Sequence, residues 1–179
     1  MHDVTIAYAI LLLVVAQRVG ELWYASRNTR TLKARGAIEY GRGHYPLIVL
    51  LHASWLMAIA IGIRSDPAVR VFPLGVFALV QAVRVWVLAT LGPYWTTRVI
   101  TVPDAPLVNR GPYRFLRHPN YVVVIGEIAL LPLIFGQVAN AIVFSVLNAA
   151  VLAWRIRVEE SALDGRRALS RRHDSRVGG

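Results

Sequence analysis

Two short stretches of this chain hold most of the residue types that do chemistry. One is Arg117-His-Pro-Asn-Tyr121, preceded by Gly111-Pro-Tyr-Arg114. The other is Arg155-Ile-Arg-Val-Glu-Glu-Ser-Ala-Leu163. In the first, Pro119 suits the opening turn of a helix, where its missing N–H is not needed. The free N–H groups that follow favour an anion or carboxylate, and His118 and Tyr121 flank that terminus. The plain reading of the same residues is a membrane-helix start with a tyrosine anchored at the interface. In the second stretch, Arg155 and Glu159 stand four apart and can pair on one helix face. The functional reading gives one carboxylate to hydroxyls or a cation. Adjacent carboxylates on a helix point in different directions, so Glu159 and Glu160 alone do not make an acid–base dyad. Glu127 and Arg84 fall within apolar stretches. Ionisable groups there are costly and face the protein interior. Arg84 is a candidate partner of Glu127, with ion pairing and substrate orientation both open as roles.

Other chemistries find no support. His2, His44, His52, His118 and His173 are scattered, and no H-E-x-x-H or paired ligand spacing occurs, so no metal is expected. The chain has no cysteine, which excludes disulfides, thiolate sites and a cysteine nucleophile. No G-x-G-x-x-G, Walker or G-x-S-x-G sequence is present, and a soluble Rossmann-type domain has no room.

The elements that must position these residues follow from composition. The 179 residues carry a net charge of +10, yet only 17% are charged and 56% are hydrophobic. Soluble domains carry about 25% charged residues. Nucleic-acid binders of this charge are less apolar, and basic disordered tails are low in hydrophobicity. The remaining class is a membrane protein whose charges lie outside its apolar stretches. Nineteen of the twenty basic residues are arginine, with Lys33 the exception.

A bilayer-spanning helix needs about 20 mostly apolar residues. Candidates run over 4–24, 45–63, 71–91, 121–135 and 138–154. Arg18 and Glu21, three apart at the end of the first, can pair on one face. The last two are short, are separated by Gly136 and Gln137, and read as a helical hairpin partly shielded by the other helices. The first run continues into a full span and is expected not to be a cleaved leader. The loops 24–43 and 92–120 and the tail from Arg155 sum to +4, +3 and +3, whereas the other connections are nearly neutral. The positive-inside rule then puts the N-terminus outside and the C-terminus in the cytoplasm. Five spans satisfy this alternation; four or six do not. The expected fold is an all-α integral membrane protein, a single domain. It is organised as three N-terminal spans (1–91), a segment with the hairpin and the paired glutamates (92–163), and a fraying basic tail (164–179). The two chemical stretches lie at the cytoplasmic ends of the hairpin, so the fold brings them together.

The residues from Leu91 to Leu163 resemble the isoprenylcysteine carboxyl methyltransferase family of integral-membrane enzymes. The resemblance rests on Leu91-Gly92 with Trp95, Leu107-Val108, Gly111-Pro-Tyr-Arg114, Arg117-His-Pro-Asn-Tyr121 and Glu159-Glu160 with Leu163. It is closest to a compact five-span bacterial branch associated with O-methylation of alkylpyrones and related lipids. It implies S-adenosylmethionine as cofactor, in a pocket at the cytoplasmic face. Tyr113, Arg114, His118, Pro119 and Tyr121 would line one side, and Glu159 and Glu160 the other. Either Arg155 or Arg157 would match the basic residue before the paired glutamates. With Glu127 they are the candidate catalytic groups, and Trp95 and Arg84 the candidate acceptor contacts. The acceptor would be a lipidic small molecule or a prenylated substrate, in a bacterial plasma membrane, with no nucleic acid and no metal. Relatives with Arg-His-Pro-x-Tyr include NADPH-dependent lipid reductases, which usually place glycine where this chain has Val123. That reductase, or a non-catalytic membrane scaffold, is the competing reading.

Overall fold

The computed structural model describes residues 2–41, 43, 45–63, 68–102 and 108–177, with side chains over 4–161 of these. Five helices dominate: α1 (His2–Ala34), α2 (Tyr45–Gly62), α3 (Val71–Leu91), α4 (Pro119–Ile134) and α5 (Val138–Val177). Among the described residues, α1, α2, α3 and α5 are long and apolar enough to cross a membrane, and α4 is a shorter apolar helix of 16 residues.

Two boundaries differ from the sequence expectation. The first helix does not stop near Tyr24 but runs ten residues further, to Ala34. No glycine or proline interrupts Ala25–Ala34, and Ala25, Asn28 and Leu32 are buried there. Asn28 holds the far segment directly, donating to the carbonyls of Gly92 (3.1 Å) and Trp95 (2.9 Å). Likewise the paired glutamates are not on a segment of their own. They continue α5, whose backbone stays helical to Val177, past the start of the basic tail at Asp164. The fold is also not purely helical. Three-residue strands β1 (Ile38–Tyr40) and β2 (Val99–Thr101) pair antiparallel, with Glu39 opposite Ile100. Glu39 fixes this ladder by accepting from Lys33 and from Arg98 (2.5 Å), and Arg98 lies 4.2 Å over the Tyr45 ring.

The helix α4 sits between α3 and α5, and α5 also packs on α2. Ile128, Leu131 and Ile134 of α4 meet Trp55 and Ile59 of α2, Phe77 of α3, Phe144 of α5 and Leu11 and Val14 of α1 in one core. In lipid such packing works through close contact and interhelical hydrogen bonds rather than water exclusion. Pro132 and a positive-φ Gly136 (+72°) end α4. The Gln137 side chain then donates to the carbonyl of Ile59 (3.0 Å), tying the connection of α4 and α5 to α2. Only residues 135–137 join α4 to α5, while Tyr121 at the other end of α4 meets Arg155 and Glu159 of α5.

A polar cluster stands inside this apolar bundle. Arg84 of α3 grips Glu21 of α1 through two bonds of 2.5 Å and donates to Glu127 of α4 at 2.6 Å. Arg18 closes the ring on Glu21 (2.8 Å) and Glu127 (2.7 Å). Gln81 donates to Glu127, and Gln17 donates to both Glu21 and Gln81, each at 2.9 Å. Two cations and two anions balance, which is the condition for burying charge without a large penalty.

Candidate functional site

The junction of α4 with the later turns of α5 gathers the chemical residues. His118 is the residue before α4, Pro119 opens it, and Tyr121 follows in its first turn. His118 stacks on Tyr121 with ring centroids 5.2 Å apart. The Tyr121 hydroxyl bonds the Glu159 carboxylate and accepts from Arg155 Nε at 3.0 Å, and Arg155 also lies over the Tyr121 ring. Tyr121 thus stands between Arg155 and Glu159, where the sequence reading pairs those two directly. On the other side, His118 Nδ1 is 3.9 Å from Glu159 and its Nε2 is 3.9 Å from Glu160. These carboxylates remain reachable: their side chains are 31% and 50% exposed.

The turn before α4 adds Tyr113. Burial raises its hydroxyl well above the ordinary phenol range, and the Glu159 charge adds to the effect, so Tyr113 stays a neutral phenol. Gly111 sets that turn with φ +57°, and its Cα packs so closely on Thr90 that a Cβ would lie 2.4 Å from Thr90 Oγ1. The end of α3 therefore fixes where Gly111–Arg114 begins.

Not every expected residue comes here. Arg114 is exposed and lies 5.9 Å over the Phe115 ring. Arg157 is exposed, two residues on from Arg155 and so on roughly the opposite face of α5, and its carbonyl accepts from Ser161. Glu127 and Arg84 are bound to each other and to α1 in the buried ring. Trp95 is buried and stacks on Tyr24 at 6.1 Å, on the α1 side of the bundle. A groove of about 390 Å³ opens beside the ring, lined by Gln17, Glu21, Tyr24, Gln81 and Arg84. Neither Tyr121 nor Glu159 lines it. Leu107 lies outside the described residues, as does the side chain of Leu163. Sequence reasoning missed Asn120, whose buried Oδ1 has no hydrogen-bond partner. It also missed Gln17 and Gln81. Polar side chains in apolar helices are the signal that singles these two out.

The chain matches a known family model. Residues 73–165 fit that of the isoprenylcysteine carboxyl methyltransferase (ICMT) family. The chain belongs to the isoprenylcysteine carboxyl methyltransferase family. The matched region runs from α3 into α5 and contains Tyr113, His118, Tyr121, Arg155, Glu159 and Glu160. The chain is also 39% identical over 160 residues to YpbQ, an uncharacterized protein of Bacillus subtilis, covering 87% of this chain and 95% of that one. An uncharacterized protein of Haemophilus influenzae is 27% identical over 155 residues, covering 84% and 90%. No solved structure matches the chain. Family membership and four apolar helices of spanning length make this a membrane protein of a methyltransferase family. Among the described residues no group of three or more metal-ligating side chains occurs.

Proposed function

We propose that the protein is an S-adenosylmethionine-dependent O-methyltransferase acting on a lipidic acceptor held in the membrane. The observation that carries the reading is the junction at Tyr121, where His118, Arg155, Glu159 and Glu160 converge from two separate motifs. The residues suit the cofactor's chemistry. Half-exposed carboxylates accept hydrogen bonds from ribose hydroxyls, and the buried Asn120 Oδ1 lacks a donor that an adenine amino group or an ammonium supplies. Stacked His118 and Tyr121 offer an aromatic face to a cation, a contact worth about 0.5–2 kcal/mol.

The bound cofactor supplies an electrophilic methyl group, so neither a metal nor a strong base is needed for an ionised acceptor. The chain's own work is placement. Arg155, fixed by the Tyr121 hydroxyl, is the cation that faces an acceptor oxyanion, and its planar fork suits a carboxylate or enolate. Aligning acceptor and donor supplies up to about 7–11 kcal/mol of barrier lowering. Arg157, turned outward, has no part in this. Glu127 and Arg84 act as a structural brace in this reading, the ion-pairing role the sequence left open, rather than as a catalytic group and an acceptor contact.

The arrangement in the membrane follows the loop charges. The pair α4–α5 forms a hairpin of the fourth and fifth spans, with α4 short because α3 and α5 flank it. The chemical junction faces the cytoplasm, where the cofactor is made, and the acceptor reaches it sideways from the inner leaflet of a bacterial plasma membrane. The acceptor is an isoprenylcysteine-like carboxylate or an acidic hydroxyl on an alkylpyrone or phenolic lipid.

The test is direct. Purified protein in detergent is titrated with S-adenosylhomocysteine and with NADPH, then assayed with labelled methyl donor and a bacterial lipid extract. Binding of the first ligand alone, together with labelled lipid ester or ether, is expected. NADPH binding without S-adenosylhomocysteine binding refutes the reading in favour of the reductase. His118→Ala and Glu160→Ala are expected to abolish transfer in folded protein.

A further inference from the structure

The groove of about 390 Å³ between α1 and α3 has the size of a ligand site, for which about 300–1,000 Å³ is usual. Its walls are one face of each helix: Gln17, Glu21 and Tyr24 on α1, Gln81, Arg84 and Leu88 on α3. Polar side chains bridge these faces. Gln17 donates to Gln81 at 2.9 Å, and Arg84 reaches Glu21 at 2.5 Å. Gly20 also lines the groove, between Gln17 and Tyr24. Glycine in a membrane helix commonly lets a neighbouring helix come close, but a Cβ built on Gly20 meets nothing within 4 Å. Here the missing side chain leaves room instead. Gly20 and Val85, both exposed, form the mouth on the lipid side.

Depth and charge narrow the occupant. Gln81 stands ten residues from either end of α3, about 15 Å along the axis. That is half of a hydrocarbon core about 30 Å thick. The polar floor of the groove thus lies near the middle of the bilayer, where the charge of a phospholipid headgroup is costly. The ring behind it is already balanced, Arg18 and Arg84 against Glu21 and Glu127, so a charged ligand leaves one charge over. An uncharged ligand with a hydrogen-bonding group meets two unused capacities. Both amide N–H bonds of Gln17 are taken, by Glu21 and Gln81, and its Oε1 accepts from no described residue. Of the five N–H bonds of Arg84, three serve Glu21 and Glu127, which leaves one donor each on Nη1 and Nη2 among the described residues. A hydroxyl gives its hydrogen to the glutamine oxygen and accepts one from the guanidinium. A hydrocarbon does neither, and a carbonyl only accepts.

We propose that the α1–α3 groove is a binding site for an uncharged membrane lipid bearing a hydroxyl, its oxygen held by Gln17 and Arg84 and its chain leaving between Gly20 and Val85. The groove and the Tyr121 junction share no lining residue, so the proposal stands apart from the methyltransferase reading.

The experiment embeds the whole chain in phosphatidylcholine nanodiscs with a photoactivatable diazirine analogue of hexadecanol and maps the labelled peptides by mass spectrometry. Labelling is expected on 17–24 and 81–88. Unlabelled hexadecanol is expected to suppress it about tenfold more effectively than hexadecane, the order of one hydrogen bond formed away from water. Hexadecyl phosphate is expected to do no better than hexadecane. Gly20→Leu fills the mouth and is expected to abolish the labelling. Leucine is the better helix former of the two, and an unchanged melting temperature shows that the fold persists. Unchanged labelling of folded Gly20→Leu overturns the proposal. Labels spread over the whole lipid-facing surface, or equal suppression by all three competitors, also overturn it, since both mark ordinary lipid contact. Suppression by hexadecyl phosphate alone overturns it in favour of an anionic ligand. If Gly20→Leu does not fold, the competition on the parent decides. None of these readouts involves the cofactor, so they are independent of methyl transfer.

Discussion

Replacing Tyr121 with phenylalanine removes one oxygen and leaves the ring, so it isolates what that hydroxyl does. The hydroxyl bonds Glu159 and accepts from Arg155. Each is a hydrogen bond to a charged group, worth about 1.5–3 kcal/mol. The two are not added. The Glu159 side chain is 31% exposed, so water replaces much of what the carboxylate loses. The expected loss is therefore that of about one such bond, a roughly 10- to 100-fold weaker affinity for S-adenosylhomocysteine. The fold is not at risk, because the ring stays stacked on His118 and packed in place. Isothermal titration in detergent reads the affinity, and thermal unfolding of the same samples reads the fold. Parental affinity in a variant of unchanged melting behaviour refutes the reasoning, because Glu159 would then be positioned without Tyr121. A collapse of melting temperature together with binding would show that the hydroxyl is a packing element.

Three further outcomes are expected. Arg155→Ala abolishes methyl transfer, while the exposed Arg157→Ala stays within about twofold of the parent, as surface changes do; steady-state rates on one lipid acceptor separate them. Gly111→Ala places a methyl group against Thr90 at a positive φ, a strain of about 1–3 kcal/mol; it is expected to lower the melting temperature and weaken S-adenosylhomocysteine binding together. At Glu39, burial alone raises the carboxyl pKa, but hydrogen bonds from Lys33 and Arg98 and their charges outweigh it, and the net value is lowered. A lowered acid pKa gives stability that is present above the ordinary glutamate value and lost as pH falls through the folded value. Acid titration of melting temperature is expected to show this limb in the parent and a reduced one in Glu39→Gln.

Much of the fold was legible because the helix signals in this chain are strong. The bounds of α3 agree with the sequence reading at both ends, since Val71–Leu91 is apolar but for a few residues such as Gln81 and Arg84 and is closed by Gly92 and Pro93. Pairing of Arg18 with Glu21, and of Arg84 with Glu127, follows from the cost of burying charge. The extension of α1 to Ala34 was not legible, because polar residues after Tyr24 look like a loop until Asn28 finds the carbonyls of Gly92 and Trp95, more than sixty residues away. The strands β1 and β2 were missed for the same kind of reason: three residues show no period, and their pairing is long-range. At the candidate site, both motifs were visible. The place of Tyr121 between Arg155 and Glu159 was not, because it depends on the crossing of two helices. Nor does spacing alone tell Arg155 from Arg157; the rotation of α5 about its axis does.

The ring of Arg18, Glu21, Arg84 and Glu127 also bears on how the chain enters a bilayer. An arginine at the centre of a lone span opposes insertion by about 2.5–3.5 kcal/mol, and Arg84 reaches the translocon with no partner on its own helix. By chain order, α1 is already made, carrying Glu21. Insertion of α3 is then favoured by capture on a preceding helix rather than by its own hydropathy alone. The short α4, with Glu127 in its middle, emerges last of the three and finds Arg18 and Arg84 waiting. Each later charged helix of the ring therefore has a counter-ion on a helix that precedes it in the chain.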